Sequence, residues 1–152
     1  MLLTELLAAD RVRVPLAAHS RDGVLEELVG ILHASGAVSD PQAVLRAVHN
    51  REAQLSTGIG GGVAIPHGKA EGVGGLAVAA GVSAQPVDFA ALDGEPVRLF
   101  FLLVGPEAAS GAHVKALSRI ARLVRGEEMR RRLVEAASPE EFMALIAQAE
   151  AA

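Results

Sequence analysis

One segment constrains this chain more than any other: Arg51-Glu52, then Ser56-Thr57-Gly58-Ile59-Gly60-Gly61-Gly62, then Val63-Ala64-Ile65 and Pro66-His67-Gly68. The glycines build a loop whose bare backbone can approach an anion. The apolar triplet Val63-Ala64-Ile65 reads as a short strand. It delivers one imidazole, His67, to the rim of that loop. Pro66 stiffens the backbone before His67, and Gly68 behind it leaves space for an incoming partner.

Elements of two kinds surround this segment. Arg11-Val12-Arg13-Val14 alternates and suits a short strand stopped by Pro15. Ser20 is placed to cap a helix carrying Val24, Leu25, Leu28, Val29 and Leu32 on one face, with Gly36 to end it. Asp40 followed by Pro41 predicts a second helix through Val44, Leu45 and Val48. Leu76 to Val82 is strand-like, Pro86 to Gly94 reads as a connection, and Val97 to Val104 is apolar enough for a central strand buried on both faces. Arg98 belongs near the entry of that strand, close to solvent.

A loop from Gly105 to Ala112 then leads to a helix expected to begin near His113, with Val114, Leu117, Ile120, Ala121 and Val124 on one face. Glu127 to Ala137 is an arginine-rich helical stretch, and Ser138-Pro139-Glu140-Glu141 caps a last helix. Strands interspersed with helices, one neighbouring pair able to form a hairpin, point to a mixed sheet covered by helices on both faces.

At 152 residues the chain is expected to form one domain over 1–152. It is 51% hydrophobic but only 3% aromatic, so its core must be built from Ala, Val, Leu and Ile. A net charge of −4 without a basic face, and no Tyr or Trp for base stacking, argue against nucleic acid as a partner. The absence of cysteine removes disulfides, thiolate zinc sites and thiol catalysis. With no basic leader at Met1–Leu7 and no apolar run of spanning length, the expectation is a cytoplasmic protein without membrane insertion.

Two nucleotide-binding motifs fail. Val63 stands where a phosphate-binding P-loop needs its first glycine before Gly68-Lys69, and Ala70 replaces the hydroxyl that would hold magnesium. Val63 also stands where the dinucleotide fingerprint opened by Gly58 and Gly60 needs its third glycine.

What remains is the imidazole. A neutral ring, with a reference pKa of about 6.5, offers one free lone pair at neutral pH. Phosphoryl transfer passes through a loose transition state, where catalysis rests on positioning and positive potential. Arg51 ends the second predicted helix, where its fork can bind phosphate or merely complement the helix dipole. Ser56, Thr57 and Gly58 are candidate phosphate-binding residues; the hydroxyls of Ser56 and Thr57 can instead cap the turn. His113 can orient the phosphoryl group or the ring of His67, or simply pack at a helix end. His19, His33 and His49 form no ligand pattern, so no metal site is expected. Most arginines at 119, 122, 125, 130, 131 and 132 read as solvated helix faces.

Together, Arg51-Glu52, Ser56 to Gly60, Gly62 to His67 and the later His113 with Leu117 resemble a known family. It is the enzyme IIA domain of the bacterial phosphoenolpyruvate-dependent phosphotransferase system, fructose/mannitol type (type 2), which includes the nitrogen-regulatory enzyme IIA proteins. Order and spacing agree across essentially the whole chain, with Val114 where the family usually has leucine. The resemblance implies an α/β fold, a three-layer α/β/α sandwich whose mixed parallel and antiparallel sheet has about five strands. It implies that His67 takes a phosphoryl group, on Nε2, from a phosphorylated histidine carrier protein. Arg51 and His113 would support the phosphohistidine, without metal or cofactor.

Enzyme IIB of this class carries phosphate on a thiol, so a chain without cysteine is expected to be a free-standing IIA. Its acceptor would then be a separate enzyme IIB in sugar uptake. The alternative is a nitrogen-regulatory type whose phosphorylation state controls binding to regulatory proteins; the run Ile65 to Lys69 and the single-domain form lean that way.

Overall fold

The computed structural model describes residues 1–151. Helix α1 spans Leu3–Leu6, strand β1 Val12–Leu16, and helices α2 and α3 Arg21–Ala34 and Pro41–Gln54. Three short strands follow: β2 (Gly58–Gly60), β3 (Val63–Ala64) and β4 (His67–Lys69). Two long strands come next, β5 (Ala77–Val87) and β6 (Val97–Gly105), then α4 (Ser110–Leu123), α5 (Glu127–Val134) and α6 (Pro139–Ala151).

The strands form one mixed sheet in the order β1-β5-β6-β3-β2, with β4 continuing β3 along the same edge of β6. β5 and β6 pair antiparallel, β1 runs parallel to β5, β3 and β4 run parallel to β6, and β2 folds back antiparallel on β3. The β2–β3 reversal is made by Gly60, Gly61 and Gly62, all at positive φ (96°, 65° and 78°), a region that a side chain would make costly three times in succession.

Helices cover both faces, giving the three-layer sandwich. On one side α2 and α3 pack Val24, Leu28, Leu32, Val44 and Val48 onto Phe100, Leu102 and Val104 of β6. On the other, residues from α1, α4, α5 and α6 meet Leu99, Phe101 and Leu103. Successive residues of β6 thus enter opposite cores, which is why its sequence is apolar without alternation. Fully burying each such side chain contributes about 1.5–3 kcal/mol.

The helix caps form as their residues dictate. The Ser20 hydroxyl accepts from Gly23 N–H at 3.1 Å, Asp40 Oδ1 from Ala43 N–H at 3.1 Å, and Ser138 Oγ from Glu141 N–H at 3.1 Å. The Glu141 carboxylate reaches Ala137 N–H, one residue before the cap itself.

Four local expectations are corrected. β1 runs through Pro15 to Leu16, because it is an edge strand paired only with β5 and tolerates a missing N–H. Pro86 and Val87 belong to β5, Pro86 lying where the register with β6 shifts between Val82 and Val87. Helix α4 starts at Ser110, after a 3-10 turn over Glu107–Ala109. Its buried face is His113, Ala116, Ile120 and Val124, with Val114 and Ala121 exposed. No helix among the described residues is long and apolar enough to cross a membrane.

Candidate functional site

The parallel pair β4–β6 sets the site. His67 lies opposite Leu103, Gly68 opposite Val104 and Lys69 opposite Gly105, so His67 stands at the carboxyl end of the sheet, where open α/β sheets place their ligands. Gly68 is buried against α3. A Cβ there would come within 3.1 Å of Val48 N and 3.2 Å of the Ala47 carbonyl carbon. The close approach serves strand-on-helix packing, and Gly68 also lines the cleft beside His67. One helical turn beyond Ala47, Arg51 then reaches the same cleft as His67.

From the opposite layer α4 contributes His113, in its first turn and buried (3% exposed). The rings of His67 and His113 meet edge to face, with centroids 5.6 Å apart and planes at 66°. Arg51, His67 and His113 line one cleft of about 620 Å³ together with Asn50, Gln54, Lys69 and Glu107.

His67 is half-buried and its Nδ1 lies 2.9 Å from the Ile65 carbonyl. A carbonyl only accepts, so Nδ1 carries the proton and Nε2 keeps its lone pair. Burial is the main cause holding the His67 pKa below the ordinary histidine value, with Arg51 and Lys69 adding to it. The bond to Ile65 and the Glu52 carboxylate oppose them. His113 is pushed down to about 4, by burial first and then by the charges of His67 and Lys69. Neither of its ring nitrogens has a hydrogen-bond partner among the described residues. A buried ring in that condition can still donate one N–H to a group entering the cleft.

Arg51 does two things at once. One guanidinium nitrogen donates to the Leu55 carbonyl at 2.7 Å, closing the end of α3, while the side chain borders the cleft and its charge acts on His67. Its position at the helix end is as the sequence reading expects, and its place in the cleft leaves the guanidinium beside His67.

Ser56, Thr57 and Gly58 do not join this lining. The Ser56 hydroxyl donates to the Phe89 carbonyl at 2.6 Å and accepts from Gly58 N–H at 3.0 Å. Thr57 is buried, and its hydroxyl and N–H both go to the Glu52 carboxylate. All three tie the loop to its surroundings in this structure.

The sequence reading missed Asn50, Gln54, Lys69 and Glu107 as cleft residues. Ala47, Asn50, Arg51 and Gln54 fall at helical spacing on one stripe of α3, a signal visible once Arg51 is singled out. Glu107 had none, because its place follows from the turn before α4. Among the described residues no group of three or more His, Cys, Asp or Glu is arranged to hold a metal ion.

The family described as "Phosphoenolpyruvate-dependent sugar phosphotransferase system, EIIA 2" matches residues 5–149. The chain is 40% identical over 148 residues to a fructose-specific EIIABC component of Bacillus subtilis, covering 97% of this chain but only 23% of that protein. It is 38% identical over 136 residues to a nitrogen regulatory protein of Bradyrhizobium diazoefficiens, covering 88% of this chain and 86% of the relative. The crystal structure of the nitrogen regulatory protein IIA-Ntr from Neisseria meningitidis superposes with a TM-score of 0.87 at 33% identity, covering 95% of this chain and 98% of the other. Sequence and fold agree: the chain belongs to the EIIA 2 family of the phosphoenolpyruvate-dependent sugar phosphotransferase system.

Proposed function

We propose that the chain, acting as one IIA unit over 1–152, is a phosphohistidine carrier that takes its phosphoryl group on Nε2 of His67. The observation that carries this reading is the bond from His67 Nδ1–H to the Ile65 carbonyl, which leaves Nε2 unprotonated in a cleft shared with Arg51 and His113. The Nε2 lone pair attacks the phosphorus of a phosphorylated histidine carrier protein. The donor's P–N bond breaks with its electron pair returning to the donor ring, and no proton moves on His67. The Arg51 guanidinium faces the charge on the three equatorial oxygens. His113, neutral because of its low pKa, donates one N–H to the same group.

In the second half-reaction the phosphoryl group leaves Nε2 for the thiolate of a separate enzyme IIB in sugar uptake, and His67 returns with its Nδ1–H bond unchanged. These steps need only side chains of the two proteins, in a cytoplasmic setting.

The test is to incubate the protein with phosphoenolpyruvate, enzyme I and the histidine carrier protein, then measure intact mass beside His67→Ala. An acid-labile gain of one phosphate in the wild type alone supports the reading; equal gain in His67→Ala, or none in either, refutes it.

A second role is open because nitrogen regulatory proteins are among the relatives, at 38% identity for one and with a TM-score of 0.87 for a solved IIA-Ntr chain. In that role the charge on His67 switches binding to regulatory proteins. Capture with wild type, His67→Asp and His67→Ala distinguishes it, and identical partners for all three exclude it.

A further inference from the structure

Among the described residues Glu52 is the one buried carboxylate beside the cleft, and the phosphoryl steps above make no use of it. It sits in the last turn of α3, 5% exposed. Two physical terms disfavour it there. Burying an ion costs several kcal/mol before its partners are counted, and a negative charge at a helix C-terminus meets the negative end of the dipole. Helix stability alone would favour almost any other residue at this position.

Its partners explain its presence. Oε2 accepts from Thr57 N–H at 2.9 Å and Oε1 from the Thr57 hydroxyl at 2.5 Å, so both oxygens clasp a single residue just past the helix end. The Thr57 carbonyl accepts from Ile65 N–H at 3.0 Å. The Ile65 carbonyl in turn accepts from His67 Nδ1–H at 2.9 Å. Helix α3, the residue before β2, the residue after β3 and the His67 ring are thus joined by three links in series, the first of them a doubled hydrogen bond.

We infer that Glu52 is a positioning residue for His67: by clasping Thr57 it holds the Ile65 carbonyl against Nδ1–H and so keeps Nε2 free of a proton. A neutral histidine side chain in water prefers the proton on Nε2, the opposite arrangement, so the protein has to impose this tautomer. A bond from a single unsupported carbonyl does so weakly. A carbonyl tied through Thr57 to a buried charge on the neighbouring helix has little freedom to turn away. The inference deepens the phosphoryl-acceptor reading and rests on it for its consequence.

The experiment compares wild type, Glu52→Gln, Thr57→Val and Thr57→Ser, each with 15N-labelled histidine. Ring 15N spectra of the unphosphorylated proteins at alkaline pH report the His67 tautomer directly. Wild type and Thr57→Ser are expected to show the Nδ1–H form, whereas Glu52→Gln and Thr57→Val show a mixture with Nε2–H. The two mixed variants are also expected to accept phosphate on the order of tenfold more slowly, at an unchanged KM for the carrier protein. A purely structural role would lower the unfolding midpoint and leave tautomer and KM-against-kcat balance untouched; that result in folded Glu52→Gln overturns the inference. Should Glu52→Gln fail to fold, the Thr57→Val against Thr57→Ser comparison decides it. Absence of phosphorylation in the wild type would overturn the acceptor reading, while the ring spectra still judge the Glu52 link independently.

Discussion

Gly68→Ala adds one methyl group where β4 lies against α3. Gly68 has no left-handed φ, so backbone strain is not at issue. Space is: the new carbon would stand 3.1 Å from Val48 N, 3.2 Å from the Ala47 carbonyl carbon and 3.2 Å from Val48 Cγ2. Two of those atoms are helix backbone and cannot rotate aside, so α3 and β4 must part by a few tenths of an ångström. Overpacking of this kind costs about 1–3 kcal/mol. The reduced freedom of the unfolded chain returns about 0.4–1 kcal/mol, leaving a net loss centred on about 1 kcal/mol and at most about 2.6 kcal/mol.

The same movement separates Arg51, on α3, from His67, on β4. A misplacement of about 1 Å costs roughly a hundredfold in rate, so a few tenths should cost roughly three- to fivefold. Urea unfolding and single-turnover phosphorylation measure the two effects. Gly74→Ala is the control, since a Cβ there meets nothing within 4 Å. Wild-type stability together with a wild-type rate in Gly68→Ala would refute the claim that this contact sets the distance between guanidinium and imidazole.

Three further outcomes are expected. His113 is held at about 4, below the ordinary value of about 6.5, so the unfolded chain binds a proton there before the native one does. Its contribution is fully present above about pH 6.5 and is lost as pH falls toward about 4, by up to about 3 kcal/mol; His113→Phe should flatten that part of the stability curve, and parallel curves would contradict it. The His67 pKa is also lowered, so phosphoryl acceptance should decline only below pH 6.5; a pH–rate midpoint at or above that value would be inconsistent with the structure. Asp40→Ala removes the N-cap of α3 and should cost about 1 kcal/mol in denaturant unfolding while sparing phosphorylation, because Arg51 lies at the other end of the helix.

Helix α4 shows where local reading stops. The other long helices announce their starts through Ser20, Asp40 and Ser138, whose side chains accept the first free N–H groups. The residue before α4 is Ala109, whose methyl group cannot do this, so nothing local marks a start at Ser110 rather than near His113. Because a histidine occupies the apolar stripe, the pattern also suggested Val114 as a buried position, yet Val114 is 63% exposed. Similarly, β5 could be followed to Val82 but not to Val87, since its continuation past Pro86 depends on a register shift against β6.

By itself the sequence determined the order of helices and strands, the glycine turn, the apolar strand with two buried faces, and His67 at the end of the short strand that follows the turn, but not that the turn lies at the far end of that strand and outside the cleft. These follow from side-chain periodicity, capping chemistry and backbone freedom, all of which act over a few residues. Tertiary structure alone decided which groups meet. Arg51 arrives from one helical layer and His113 from the other, and the Ser56 hydroxyl is taken by a carbonyl of Phe89, 33 residues away. It decided the free nitrogen of His67 as well, since a short polar side chain takes whatever partner the folded chain sets within about 3 Å.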